Sequence, residues 1–170
     1  VRIRRLTAAD ARAYQAIRGE ALEQAPLAFS ASPEDDLARS AEFVVRSLAD
    51  QSQAVFAAFA PDIAGMVGAY RDRHLKAAHK CHLFGLYVAP AWRSAGVGRR
   101  LVEEAVAFAR TLSGVTQVHA GVTDRAPEAA ALYRDLGFLA WGVEPEALRL
   151  GSEVVAEAHL VLALGQPEVH

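Results

Sequence analysis

The sequence predicts a single α/β (α+β) domain over residues 1–170, with a mixed, mostly antiparallel central sheet flanked by helices. Three observations carry this. Just over half of the chain is apolar (52%) and 22% is charged, a globular balance with enough material for a core. Stretches with the two-residue period of strands are interleaved with stretches of helical period. Pro, Gly and Asp fall between them, where turns are needed. The resulting order is strand, helices, several strands, helix, strand, helix, closing strands, which is that of an α/β or α+β domain.

Residues 2–6 alternate weakly and are expected to form a first strand. Thr7 offers an N-cap with Asp10 as its acidic partner. Ala11, Tyr14, Ile17, Ala21 and Leu22 then recur at helical spacing until Pro26. The acidic Glu34, Asp35 and Asp36 follow Pro33 in a loop or helix start, and Ser40 can cap a helix carrying Phe43, Val44 and Leu48. "QAVFAAFA" and "IAGMVGAYRD", split by Pro61-Asp62, read as a hairpin. The polar loop "RHLKAAHK" leads to a third strand, "CHLFGLYVA", completing an antiparallel meander. From Val97, apolar Leu101, Val102, Ala105, Val106, Phe108 and Ala109 describe an amphipathic helix. "TQVHAGVTD" is a short strand. "APEAAALYRDLGF" is a helix, with Pro127 in its first turn and Gly137 at its stop. "LAWGVEPEALRL" and "SEVVAEAHLVLAL" close the domain as two strands, and the tail "GQPEVH" is expected to fray.

Charge and composition exclude several classes. The formal net charge is −2, so no global field draws the chain to nucleic acid or to an anionic membrane. No apolar run approaches the roughly 20 residues that span a bilayer. The N-terminal "VRIRRLTAAD" lacks the apolar centre of a signal peptide. Cys81 is the one cysteine, so no intrachain disulfide forms. A cytoplasmic, reducing location and an inert buried thiol are the expectations. The six histidines show no ligand spacing on one element, so no metal is expected.

The chemistry-bearing stretch is Arg93-Ser94-Ala95-Gly96-Val97-Gly98, between the third meander strand and the amphipathic helix. A helix start leaves backbone N–H groups without intrahelical partners and gathers partial positive charge. Two glycines clear side chains from those groups, and Arg93 adds a full charge on the approach. Such a turn suits phosphate or pyrophosphate. No Gly-Lys-Ser/Thr follows, and the spacing is not G-x-G-x-x-G, so neither a P-loop nor a dinucleotide fold is indicated.

This turn resembles the Arg/Gln-x-x-Gly-x-Gly/Ala motif of the GNAT N-acetyltransferases, with Arg93, Gly96 and Gly98 at its fixed positions. Val88-Ala89-Pro90 before it resembles the family's Val-x-Pro. Ala129, Leu132, Tyr133, Gly137 and Phe138 match a second family pattern, Asn-x-x-Ala-x-x-Leu-Tyr-x-x-x-Gly-Phe, although Ala126 stands at its Asn position. The resemblance, which spans residues 2–164 in element order, implies a GNAT-like fold and acetyl-CoA, or another acyl-CoA, as donor. It places the pyrophosphate on residues Arg93, Ser94, Ala95, Gly96, Val97 and Gly98, with Arg99 adding its N–H. It lays the pantetheine arm along Leu86, Tyr87 and Val88. Ala126 removes one family contact to that arm, and Asp124 is the nearby polar alternative.

By the same resemblance Tyr133 is the acid for the leaving thiolate. His82 stands where many relatives carry a Glu on the fourth strand, and a ring with an unperturbed pKa of roughly 6.5 suits a general base. His119 and Glu144 are weaker candidates. Val88 N–H is a candidate oxyanion donor. The reading is direct transfer of an acetyl group to a primary amine in a ternary complex, with no acyl-enzyme on Cys81. The acceptor is a small molecule or peptide, drawn by Glu34, Asp35 and Asp36 into a pocket that Phe29 and Trp141 could line. A homodimer fits the family habit. The alternative is a GNAT-like module that binds or senses acyl-CoA without turnover, which Ala126 and the lack of a carboxylate base on the fourth strand leave open.

Overall fold

The computed structural model describes residues 1–165, so the expectation for the tail falls almost wholly outside the described residues. Seven strands form one sheet: β1 (Arg2–Arg5), β2 (Gln53–Phe59), β3 (Ile63–Arg71), β4 (Lys80–Val88), β5 (Gln117–Thr123), β6 (Leu139–Leu150) and β7 (Glu153–Ala163). Four α-helices accompany them: α1 (Ala11–Gln24), α2 (Ala41–Ala49), α3 (Val97–Thr111) and α4 (Pro127–Asp135). The strand order is β1-β2-β3-β4-β5-β7-β6. Only β4 and β5 run parallel; every other neighbouring pair is antiparallel. The expected mixed, mostly antiparallel sheet is therefore present. No helix among the described residues is long and apolar enough to cross a membrane.

The first helix departs from expectation in one detail. Thr7 does not open α1 directly. One 3-10 turn, Ala8–Asp10, intervenes, and the Thr7 backbone N–H donates to Asp10 Oδ2 at 2.8 Å. Asp10 also accepts two hydrogen bonds from Arg4, both at 2.8 Å, which ties β1 to the start of α1. Ser40 caps α2 as expected, its hydroxyl accepting from Phe43 N–H at 3.2 Å.

Strand alternation distributes the core to the two sheet faces. On one, Val55, Ala57, Met66 and Tyr87 join Tyr14, Ile17 and Ala21 of α1 and Val44 and Leu48 of α2. On the other, Ala54, Phe56, Ala58, Val67, Cys81 and Val118 meet α3 and α4. The α3 stripe is buried as its period predicts, with Leu101, Val102, Ala105 and Ala109 at 0% exposure. Each fully buried Leu or Val of that stripe contributes about 1.5–3 kcal/mol. Cys81 lies in the same layer, and burial pushes its thiol up to about 11, which fits the inert reading.

Candidate active site

Two local irregularities shape the centre of the sheet. In β4, Gly85 and Leu86 together oppose Val67, between the pairs Gly68–Phe84 and Met66–Tyr87. Gly85 takes a φ of +65° to make this bulge. A bulge bends the strand that carries it, and β4 parts from β5 here. The parallel ladder covers only Lys80–His82 against Gln117–His119. From Leu83 onward the β5-facing edge of β4 has no ladder partner among the described residues, and a slot opens between the strands. A cavity of about 510 Å³ is lined by His82, Phe84 and Gly85 from one edge and His119, Ala120 and Gly121 from the other. The slot is its floor.

At the far end of the slot, β4 runs into the Arg93–Gly98 turn. Gly96 caps α3 with a φ of +76° and Ser94 is also left-handed, at +64°. Arg93, Ser94, Ala95 and Gly96 are exposed while Val97 is buried. The first bond back into the turn runs from Arg100 N–H to the Gly96 carbonyl at 3.2 Å. The N–H groups of Val97, Gly98 and Arg99 precede it and have no acceptor among the described residues. Together with the dipole of a 15-residue helix, they form a seat for an anion. The fit to a diphosphate rests on these free donors.

The two glycines have different jobs. A side chain at Gly96 would meet nothing within 4 Å, whereas one at Gly98 would meet Leu132 Cδ2 at 3.4 Å and Val88 Cγ2 at 3.6 Å. Gly96 supplies backbone freedom. Gly98 is helical and stands where a methyl would just meet α4 and β4. Arg93 is more than a charge on the approach: its Nε donates to the Val88 carbonyl at 2.9 Å and its guanidinium lies 5.8 Å from the Tyr87 ring centre. Arg99 pairs with Glu103 at 3.1 Å, so it offers the seat only its backbone. Of the three residues expected along the donor arm, Leu86 and Val88 face α3, while Tyr87 turns to α1 and its hydroxyl donates to Glu20 at 2.9 Å.

Tyr133 and His82 lie on opposite faces of the sheet. Tyr133, on α4, is 4% exposed, and burial alone pushes its hydroxyl well above the ordinary tyrosine range. That hydroxyl has no hydrogen-bond partner among the described residues. His82 lies on the α1–α2 face beside the cavity. Its Nε2 is 2.8 Å from Asp72 Oδ2, and its ring stacks on Tyr70 with centroids 5.1 Å apart. Asp72 also accepts from the His74 backbone N–H at 3.1 Å. That bond first, and His82 next, hold the Asp72 carboxyl down at about 2. An ionised carboxylate can only accept, so the His82 proton sits on Nε2 and Nδ1 is the basic nitrogen of the neutral ring.

The weaker candidates are also resolved in position. His119 sits beside His82, with centroids 5.6 Å apart, and its Nε2 is 2.9 Å from Gln117 Oε1. Burial lowers its pKa first, with His82 and Lys80 adding to the effect, so it stays neutral at neutral pH. Glu144 is 3.1 Å from His159 Nε2. Asp124 points away from the slot, toward Ala156 N–H at 3.5 Å, and Ala126 caps α4 without a side-chain bond. The acidic loop is largely committed: Asp36 holds Arg18 in two bonds of 3.1 Å, and Asp35 accepts from Ser32 N–H at 2.7 Å. Asp35 and Asp36 border a second cavity of about 600 Å³. Phe29 and Trp141 do line the cavity over the slot.

Sequence reasoning missed Asp72, Glu157 and His159. Asp72 joins His82 only through the β3–β4 register. Glu157 and His159 carried one available signal, ionisable residues spaced i, i+2 within the apolar run that follows Glu153, which places them on one face. Gly142, Glu144, Glu157 and His159 pair across β6 and β7, and Glu144, Glu157 and His159 offer ligand atoms within 4.8 Å of one another.

The fold is shared with solved structures along nearly its whole length. A GNAT-family acetyltransferase from Streptococcus pneumoniae superposes with a TM-score of 0.83 at 22% identity, covering 96% of this chain and 99% of that one. A Salmonella typhimurium protein solved with its cofactor acetyl-CoA gives 0.84 at 18% identity, covering 99% and 96%. Ribosomal-protein-alanine N-acetyltransferase from Brucella melitensis gives 0.82 at 25% identity, covering 96% and 100%. No curated protein matches the sequence. The model of the acetyltransferase (GNAT) family matches residues 14–138; with the splayed strands and the anion-seating turn inside that span, the chain belongs to the GNAT acetyltransferase family.

Proposed function

We propose that the protein is an N-acetyltransferase that moves an acetyl group from acetyl-CoA to a primary amine, directly, in a ternary complex. The observation that carries this reading is the slot. There the ladder between β4 and β5 stops at His82 and His119, in a sheet that carries Tyr133 on its α4 face and His82 on its α1–α2 face. The donor supplies an activated thioester. In this reading its diphosphate rests on the N–H groups of Val97, Gly98 and Arg99, with Arg93, Ser94, Ala95 and Gly96 forming the rim. Its pantetheine arm completes the unpaired edge of β4 at Leu86, Tyr87 and Val88, as a strand would.

The remaining chemistry belongs to side chains. His82 Nδ1 accepts the proton that makes the amine nucleophilic, and Asp72 steadies the imidazolium that results. Val88 N–H faces the charge developing on the carbonyl oxygen. Tyr133, kept protonated by burial, donates to the departing sulfur. Holding both reactants at the slot supplies the rest. Cys81 takes no part, because its thiol is buried and protonated. The protein of Salmonella typhimurium binds acetyl-CoA and that of Brucella melitensis is a ribosomal-protein-alanine N-acetyltransferase; both support an acetyl donor and an amine acceptor here.

The test is a panel of primary amines with acetyl-CoA, read by free thiol. Turnover that falls about 100-fold in His82→Ala, with loss of the acid limb of the pH–rate profile, is expected. Acetyl-CoA binding without turnover of any amine would support the sensing alternative instead.

A further inference from the structure

Of the acidic loop expected to attract the acceptor, Asp36 is held by Arg18, and Asp35 and Asp36 border the second cavity rather than the one over the slot. Among the described residues Glu157 is the one carboxylate that lines the cavity over the slot, and its neighbours on β6 and β7 are paired elsewhere. Along β7, Glu153 pairs with Arg125 at 3.1 Å. Across the ladder Glu144 pairs with His159 at 3.1 Å. Glu157 lies between them and has neither hydrogen bond nor ion pair among the described residues. It lines the cavity together with His159 and Trp141.

Its position has been made for it by a neighbouring residue. Glu157 is half-buried and opposes Thr123 in the β5–β7 ladder, yet its carboxylate reaches back over Gly121. A Cβ at Gly121 would lie 2.0 Å from Glu157 Oε1. Any other residue at 121 would push the carboxylate out. The missing side chain thus lets a negative charge rest on the β5 edge of the slot. The two cations bordering the same cavity do not neutralise it. Arg18 is held in two bonds by Asp36. Lys80 stands opposite Gln117, four residues and roughly 13 Å along β5 from Gly121. Around the charge the walls are aromatic: Phe29, Tyr70, Phe84 and Trp141.

We propose that Glu157 is the acceptor-binding carboxylate, seated by Gly121, and that it takes the ammonium of a primary amine carried on an aromatic or apolar body. This rests on the transfer reading above and names the substrate class of that site. The acceptor enters as its ammonium, as most alkylamines must at neutral pH, and is held at the slot edge before it loses a proton. The Glu144–His159 pair lies beside Glu157 on the β6–β7 ladder.

The experiment uses the full chain with phenethylamine, an ammonium at neutral pH, and aniline, which is neutral there. Glu157→Gln should raise KM for phenethylamine about tenfold or more, the worth of one charged hydrogen bond, with kcat little changed. Aniline kinetics and calorimetric binding of acetyl-CoA should be the same in both enzymes. Gly121→Ala keeps the carboxylate but fills its seat, and should raise KM for phenethylamine in the same way. Equal KM values for wild type and Glu157→Gln overturn the assignment. So does a KM rise on dialysis against EDTA as large as that of Glu157→Gln, which would give the site to a metal. A wild type that acetylates other amines but neither binds nor acetylates phenethylamine overturns the substrate class. Should wild type acetylate no amine, the transfer reading fails instead. Calorimetric binding of phenethylamine in the presence of CoA then decides the role of Glu157: loss on Glu157→Gln upholds it and equal binding sinks it.

Discussion

Alanine at Gly96 and at Gly98 should give opposite results, although the two glycines stand in one short motif. At Gly96 the backbone has a φ of +76°, and an L-residue there costs roughly 1–2 kcal/mol. The entropy an alanine removes from the unfolded chain returns about 0.4–1 kcal/mol. The net is a loss of roughly 0.5–1 kcal/mol, or relaxation of the turn to a negative φ. Relaxation would rotate the N–H groups that follow, so CoA affinity should fall about tenfold, equivalent to about 1.4 kcal/mol. At Gly98 the backbone is helical, and the new methyl meets Leu132 at 3.4 Å and Val88 at 3.6 Å. The first contact is tight, but it is made by the free end of a leucine. Helix propensity favours alanine by about 0.8–1 kcal/mol, so Gly98→Ala should be neutral to mildly stabilising and should keep CoA affinity within about threefold. Urea unfolding measures the stabilities and calorimetry the affinities. Acetylpantetheine, which lacks the diphosphate, is the control: its KM should be the same in both variants. Equal losses of CoA affinity at the two positions would refute the division of labour, and a CoA affinity unchanged in Gly96→Ala would remove the diphosphate from this turn.

Three further outcomes follow from the site and its frame. Tyr133→Phe should lower kcat about 100-fold with acetyl-CoA binding and stability nearly unchanged, because the hydroxyl has no hydrogen-bond partner among the described residues; unchanged turnover would strip it of the acid role. Cys81→Ala should leave kcat within about twofold and show no pre-steady-state burst, at a packing cost of about 1–2 kcal/mol, and a trapped acyl-thioester on Cys81 in the parent enzyme would contradict direct transfer. Asp10 is held down at about 2, against 3.8 when unpaired, first by its bonds to Arg4. A depressed carboxyl stabilises the fold above its unfolded pKa and loses that contribution as the pH falls through the folded one. Relative to Asp10→Asn, the parent should therefore be roughly 1–2 kcal/mol more stable at pH 7 after allowance for solvent at Arg4, with the difference shrinking between pH 4 and 2; a difference that persists below pH 2 would assign the effect to packing.

Much of the turn before α3 was readable in the chain because its determinants are local. The Arg93–Gly98 turn is a run of neighbours, and its anion-seating geometry depends on a helix start and one left-handed glycine. The α3 stripe, the hairpin at Pro61-Asp62 and the α4 boundaries at Pro127 and Gly137 are local in the same sense. Where reasoning from spacing went further it blurred: Gly96 and Gly98 looked equivalent until the helix was set against Val88 and Leu132. In the acidic loop, no local pattern records that Asp36 is held by Arg18, 18 residues away.

By itself, then, the sequence determined the fold class, the family resemblance and the place of the glycine turn that opens α3, because periodicity, capping and backbone conformation are set by residues a few positions apart. Tertiary structure alone decided what surrounds His82 and the slot. Asp72 reaches His82 across the β3–β4 register, the slot needs a bulge to part β4 from β5, and Glu157 finds its seat on a glycine 36 positions away in sequence, in a different strand. Ion pairing and cavity shape depend on distances in space. A linear pattern records which groups exist and cannot record which of them are already taken.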